Sequence, residues 1–286
     1  MKFEYREIPE GINVTKVHPL RELAVLLGGA VLIIVSVVYV LGLSAGFLAS
    51  YIPFEMELKL ASSFPVEEES NGEIDAYLAR VNSQVIEAMA LPEGMDITLR
   101  YSSADTVNAF ATLGGNVMVF RGLLEKLPNE NALAMLLAHE IAHVKHRDPI
   151  VSVTRGMTIS AVLSFVLGQS DLGVLGDTGL YTLLHFNRDM ERAADHEALE
   201  TVYKIYGHTQ GADELFRVLQ AYREELGKDA GFEFLQSHPL DWKRINAIDS
   251  YADDNHLKNE GEPIPIPQSF FNAMKATIQS SDKKGK

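Results

Sequence analysis

The sequence predicts a mostly helical α+β domain with a small antiparallel sheet, preceded by one transmembrane helix. Three observations carry that prediction. Residues 23–54 contain no charged side chain. Residues 108–120 mix small and β-favouring residues around Gly114-Gly115. Much of the rest reads as helix, including an apolar run that leads into His139 and His143. A chain of 286 residues suits one domain plus an anchor.

The uncharged run is rich in Leu, Val, Ile and Gly. Crossing a hydrocarbon core takes ~20 such residues. The run exceeds the ~7–15 residues of a signal-peptide core and follows a polar leader, so it reads as a retained anchor over residues 23–52. A buried core helix is disfavoured because no polar face appears. Lys2, Arg6, Lys16 and Arg21 precede the run, and only Lys59 follows it before Arg80. This bias places residues 1–22 in the cytoplasm and the domain outside, which in a bacterium is the periplasmic face of the inner membrane. The protein reads as single-pass.

Residues 53–72, with Glu67-Glu68-Glu69, read as a solvated linker to a folded domain over 73–258. A helix is expected over residues 72–89 and a strand over 96–101. Two short strands joined by a Gly turn are expected over 108–120. A helix over 129–146 follows. His146 suits its C-terminus as a cation, and Asp148-Pro149 ends it. Residues 152–167 read as a buried helix and 168–179 as a Gly-rich loop. Arg155, Asp171 and Asp177 argue against two membrane spans here. A shallow membrane-touching surface is the alternative. Further helices are expected over 180–206, 209–225, 239–250 and 268–278. Residues 259–286 form a Pro-rich connector, that last short helix and a disordered tail.

The helix over 129–146 holds His139-Glu140-Ile141-Ala142-His143. Residues four apart share a helix face, so His139 and His143 can offer two nitrogens to one ion. Glu140 stands beside the first and can take a proton from a water there. Two solvated histidines are the bland alternative, but the preceding turns are apolar and burial without partners is costly. A catalytic zinc site uses three protein ligands and leaves a position open. Glu191 and Asp195, again four apart, supply the third ligand and a carboxylate to orient a histidine. An acidic solvated face is the competing reading of that pair. Ala193-Ala194 would let the two helices pack closely.

The absence of cysteine excludes thiolate ligands, disulfides and a cysteine nucleophile. His146 and Pro149 stand where a metzincin needs Gly and His. A net charge of −14 argues against nucleic acid and against electrostatic attraction to anionic lipid.

Several blocks together resemble a known family. They are Asn108-Ala109-Phe110-Ala111, Gly114-Gly115-Asn116-Val117, Arg121-Gly122-Leu123-Leu124, the His139–His143 motif, Glu191 to Asp195, and Ser237-His238-Pro239 with Arg244-Ile245. In this order they are similar to the HtpX-like and CAAX-prenyl-endopeptidase-like membrane zinc metallopeptidases. That gluzincin group includes the BepA-type and the mitochondrial inner-membrane quality-control proteases. The resemblance covers about residues 75–248. It implies a zincin-like fold and one Zn2+ per chain held by His139, His143 and Glu191, with Glu140 as general base. It implies that Asn108 and His238 stabilise the oxyanion, and that Arg244 supports the ligands. By spacing alone, Asn108 is a turn residue and His238 a loop histidine. The resemblance further implies substrate binding along an edge strand through Ala109, Phe110, Ala111 and Gly115. Unfolded or membrane-associated proteins are the implied substrates. Asp148 departs from the family pattern and is expected not to touch the ligand set. A latent or non-catalytic assembly factor on the same fold is the alternative. A structural zinc site is disfavoured because no fourth ligand is apparent.

Overall fold

The computed structural model describes residues 18–49, 51–63, 72–167, 184–226, 234, 238 and 242–284. The expected loop over 168–179 and residues 1–17, 67–71, 237 and 239 lie outside these. Helix α1 (Pro19–Ala49) is long and apolar enough to cross a membrane by length and composition. Helix α2 (Phe54–Ala61) follows within the stretch expected as linker. Helix α3 (Gly72–Met89) buries Ile74, Leu78, Val81 and Val85, a stripe at three- and four-residue spacing.

Three strands form one sheet in the order β1-β3-β2: β1 (Thr98–Ser102), β2 (Ala109–Thr112) and β3 (Asn116–Phe120). The hairpin β2–β3 is antiparallel, with Phe110 opposite Met118. Strand β1 joins β3 in parallel, with Arg100 opposite Met118, so the sheet is mixed rather than antiparallel throughout. The turn Leu113–Gly115 is a single 3-10 turn with positive φ at Gly114 (71°) and Gly115 (74°). Glycine takes that conformation without steric cost.

A short helix α4 (Arg121–Leu124) leads to α5 (Glu130–Lys145), which is buried throughout except at Lys145. Its start is set by Asn129, whose side chain accepts from Ala132 N at 2.8 Å. Leu133, Leu136 and Leu137 are fully buried, and truncating any one to Ala would cost roughly 2–5 kcal/mol. Arg147 takes a left-handed φ of 65° and turns the chain into α6 (Asp148–Leu167). Pro149 therefore does not merely stop α5. It opens the next helix, where its missing N–H costs nothing.

Helix α7 (Arg188–Tyr206) begins later than expected because Asn187 caps it, accepting from Asp189 N and Met190 N. It lies along α5. Ala194 and Ala198 are buried and permit the close approach, whereas Ala193 faces solvent. Helices α8 (Glu214–Leu226), α9 (Trp242–Asp254) and α10 (Gln268–Lys284) complete the chain. The last is longer than expected and takes in much of the predicted tail.

Helix α2 is tied down by Glu57, which is 1% exposed. Glu57 accepts from Gly114 N at 3.0 Å and from Arg147 Nε at 3.0 Å. Arg147 also donates to Ile52 O at 2.8 Å. The chain leaving α1 is thereby joined to the β2–β3 turn and to the exit of α5.

Candidate metal centre

Helix α5 presents His139 and His143 one turn apart, and α7 brings Glu191 against them. His139 Nε2 lies 3.1 Å from His143 Nε2 and 3.6 Å from Glu191 Oε2. His143 Nε2 lies 3.4 Å from Glu191 Oε1. His238 joins them, with Nδ1 at 2.9 Å from Glu191 Oε1 and 3.3 Å from His139 Nε2. All four residues are buried, and their ligand atoms lie within 4.8 Å of one another.

Two tests ask whether a metal fits. Ligands ~2.0–2.1 Å from a tetrahedral zinc stand about 3.3 Å apart, the middle of the spread seen here. The second test is Glu140. It is fully buried, yet neither carboxylate oxygen has a hydrogen-bond partner among the described residues. A carboxylate left so inside a protein is costly unless something else meets it. An ion carrying water beside it would do so, and the residues fit one.

Each of the two helix histidines is oriented from behind. His139 Nδ1 is 3.0 Å from Asp195 Oδ1, and His143 Nδ1 is 2.8 Å from Asp148 Oδ2. A carboxylate there keeps the proton on Nδ1 and frees Nε2 for metal. Asp148 is not itself in the cluster, but it touches His143 there, contrary to the expectation that it would not contact the ligand set. It opens α6, and the tight Arg147 turn returns it to His143. Its signal was present as an acid five residues beyond the second histidine. Arg244 holds Asp195 through Nε (2.5 Å) and Nη2 (2.7 Å), and its Nη1 pairs with Glu191.

The charges follow from these contacts. Burial would raise Glu191 and Asp195, but His238 and Arg244 for the first, and Arg244 and His139 for the second, hold both below ordinary carboxylate values. Burial lowers His139. For His143 burial pulls down, but Asp148 and Glu191 outweigh it and lift it to about 9.

His238 was expected as an oxyanion donor. Here its Nδ1 occupies the ligand cluster, and its Nε2 stands 3.6 Å from Glu140 Oε1. A fourth candidate ligand therefore exists, contrary to expectation. Asn108 is buried just before β2, and its Oδ1 has no hydrogen-bond partner among the described residues. Its carbonyl accepts from Phe120 N at 3.2 Å. Ala109 and Ala111 point into the core, whereas Phe110 is half-buried. Gly115 is buried in the turn, where an added Cβ would meet Asp96 O at 2.1 Å, so it shapes the turn rather than lining an open groove. Two aromatic rings went unforeseen. Phe186 stacks on His143 at 4.0 Å, and Phe234 on His238 at 4.7 Å.

A buried HExxH helix crossed by a Glu-bearing helix, beside a small sheet, defines a zincin-like metallopeptidase domain. The chain belongs to peptidase family M48, whose family model matches residues 73–252. The mitochondrial metalloendopeptidase OMA1 of Schizosaccharomyces pombe is 29% identical over 204 residues, 68% of this chain and 59% of that protein. OMA1 of Arabidopsis thaliana is 31% identical over 161 residues, covering 54% and 32%. The beta-barrel assembly-enhancing protease of Escherichia coli K12 is 27% identical over 196 residues, covering 61% and 37%. The chain thus spans about a third to three fifths of these relatives' lengths.

Proposed function

We propose that this protein is a membrane-anchored zinc endopeptidase that cleaves unfolded or membrane-associated proteins in envelope quality control. The observation that carries this reading is the convergence of His139, His143 and Glu191 on one point beside the carboxylate of Glu140, which has no hydrogen bond among the described residues. Zinc bound there would supply a Lewis acid that polarises the scissile carbonyl and acidifies water. Glu140 accepts the proton of the attacking water and passes it to the leaving amine. Asp195 and Asp148 hold the tautomers of His139 and His143. Arg244 holds Asp195 and Glu191 in register. Strand β2 lies at a sheet edge, which supports peptide binding by strand addition. Asn108 and His238 serve as oxyanion donors once substrate enters. For His238 this requires leaving its place among the ligands. The charge bias around α1 supports a cytoplasmic N-terminus and a periplasmic domain.

The test is Glu140→Gln. It should retain one zinc per chain by metal analysis and lose cleavage of an unfolded model protein. Cleavage at the wild-type rate would refute the assignment. A second reading is a latent or non-catalytic assembly factor, and the fourth donor His238 favours it. Rescue of a deletion strain by Glu140→Gln protein would decide for that reading.

A further inference from the structure

Helix α6 does two things at once. Its first turns belong to the domain: Ile150 and Val153 are buried against Leu113 and Leu184. Its remainder runs along α1. Contact with α1 falls on a stripe. Gly42, Gly46 and Ala49 are buried and Ile34 and Val38 half-buried, while Leu26, Val31, Ile33 and Leu48 are 59–71% exposed. Val151 and Arg155 stand beside Gly46, so α6 travels away from the domain as α1 approaches it.

Three hydroxyls of this pair are arranged as hydrocarbon requires. Residues 156–167 carry no charge. Thr158 Oγ1 donates to Thr154 O at 2.8 Å. On α1, Ser36 and Ser44 donate to Leu32 O and Val40 O, each at 2.8 Å. Every one of these hydroxyls is satisfied within its own helix, as lipid requires. Arg155 is the one ionic group of α6 beyond its first residue. Its Cγ lies beside Gly42 and its Nη2 beside Gly46, in the space a side chain there would fill. The guanidinium therefore points back toward the domain, the direction a snorkelling arginine takes to reach headgroups.

We propose that residues 156–167 insert into the bilayer beside α1 as a re-entrant helix, with lipid acyl chains as their partner. The inference rests on the reading of α1 as a membrane anchor. From Arg155 to Leu167 the helix advances ~18 Å, past the middle of a ~30 Å hydrocarbon core but short of its far side. The chain then crosses zero times between His143 and Glu191, as their shared site demands.

The protein has no cysteine, so single cysteines report cleanly. The full chain is reconstituted in phosphatidylcholine–phosphatidylglycerol vesicles with Ala161→Cys or Ser164→Cys carrying an NBD fluorophore. Ser36→Cys on α1 and Ser83→Cys on α3 are the references, and each variant is checked by circular dichroism. Doxyl-labelled acyl chains should remove most of the emission at positions 161, 164 and 36 and little at 83. Quenching at 36 without quenching at 161 and 164 overturns the inference and leaves the anchor standing, including when those sites are shielded by another protein copy. No quenching at 36 removes the anchor and the inference together.

Discussion

Glu130 opens helix α5 and Glu140 lies further along it, and both are buried, at 2% and 0% exposure. Their surroundings are opposite. Glu130 is met by Tyr77 OH at 2.8 Å, Arg80 Nη2 at 2.5 Å and Tyr206 OH at 3.3 Å. Its backbone N–H also donates to Ile264 O at 2.7 Å, tying the Pro-rich connector to the core. Glu140 has no hydrogen-bond donor among the described residues, the His238 ring nitrogen standing off at 3.6 Å. A satisfied buried carboxylate is part of the scaffold, whereas an unsatisfied one is held ready for something the chain does not supply.

The contrast can be broken by substitution at either end. Glu140→Gln should lower the cleavage rate by about 10²–10⁴-fold, the usual worth of a general base, while its melting temperature stays the same or rises. A marked fall in thermal stability would show that Glu140 is structural after all. Chelation should come next in size. Removing metal should lower the melting temperature of wild type and of Glu130→Gln alike, and added zinc should restore both. An unmoved melting curve would mean that the site holds no ion.

Glu130→Gln should cost roughly 1–3 kcal/mol in denaturant unfolding, since Arg80 is half exposed and hydrogen bonds to a charged group are worth about that much. Its zinc content should not change. The smallest effect is in acid. Burial alone would raise Glu130, but Arg80 and the two tyrosines hold it below its ordinary 4.5. A depressed carboxyl stabilises the fold above its unfolded value and loses that contribution as pH falls through its folded value. Wild type should therefore lose stability below pH ~4.5 more steeply than Glu130→Gln. Equal slopes in denaturant titrations would remove Glu130 as a source.

Much of the site was legible in the sequence because its parts recur at helical spacing. His139 with His143, and Glu191 with Asp195, are each one turn apart, and that periodicity is local. Beyond the acid's position in the sequence, the contact of Asp148 had no local signal, because it depends on Arg147 adopting a left-handed φ, which few side chains do. The place of His238 depends on a fold-level contact 99 residues from His139. For the same reason the parallel pairing of β1, the packing of α1 on α6 and the role of Glu57 had no local signal. A hydropathy pattern shows that α1 is apolar but not what its glycines face.

The Glu57 knot makes the anchor mechanical as well as adhesive. A slack tether would absorb any tilt or tension arising in the bilayer. Here one carboxylate grips the β2–β3 turn and Arg147, at two borders of the metal site. Load on α1 is therefore delivered to the sheet edge and to the foot of the HExxH helix together, making a lever arm of Pro19–Ala49.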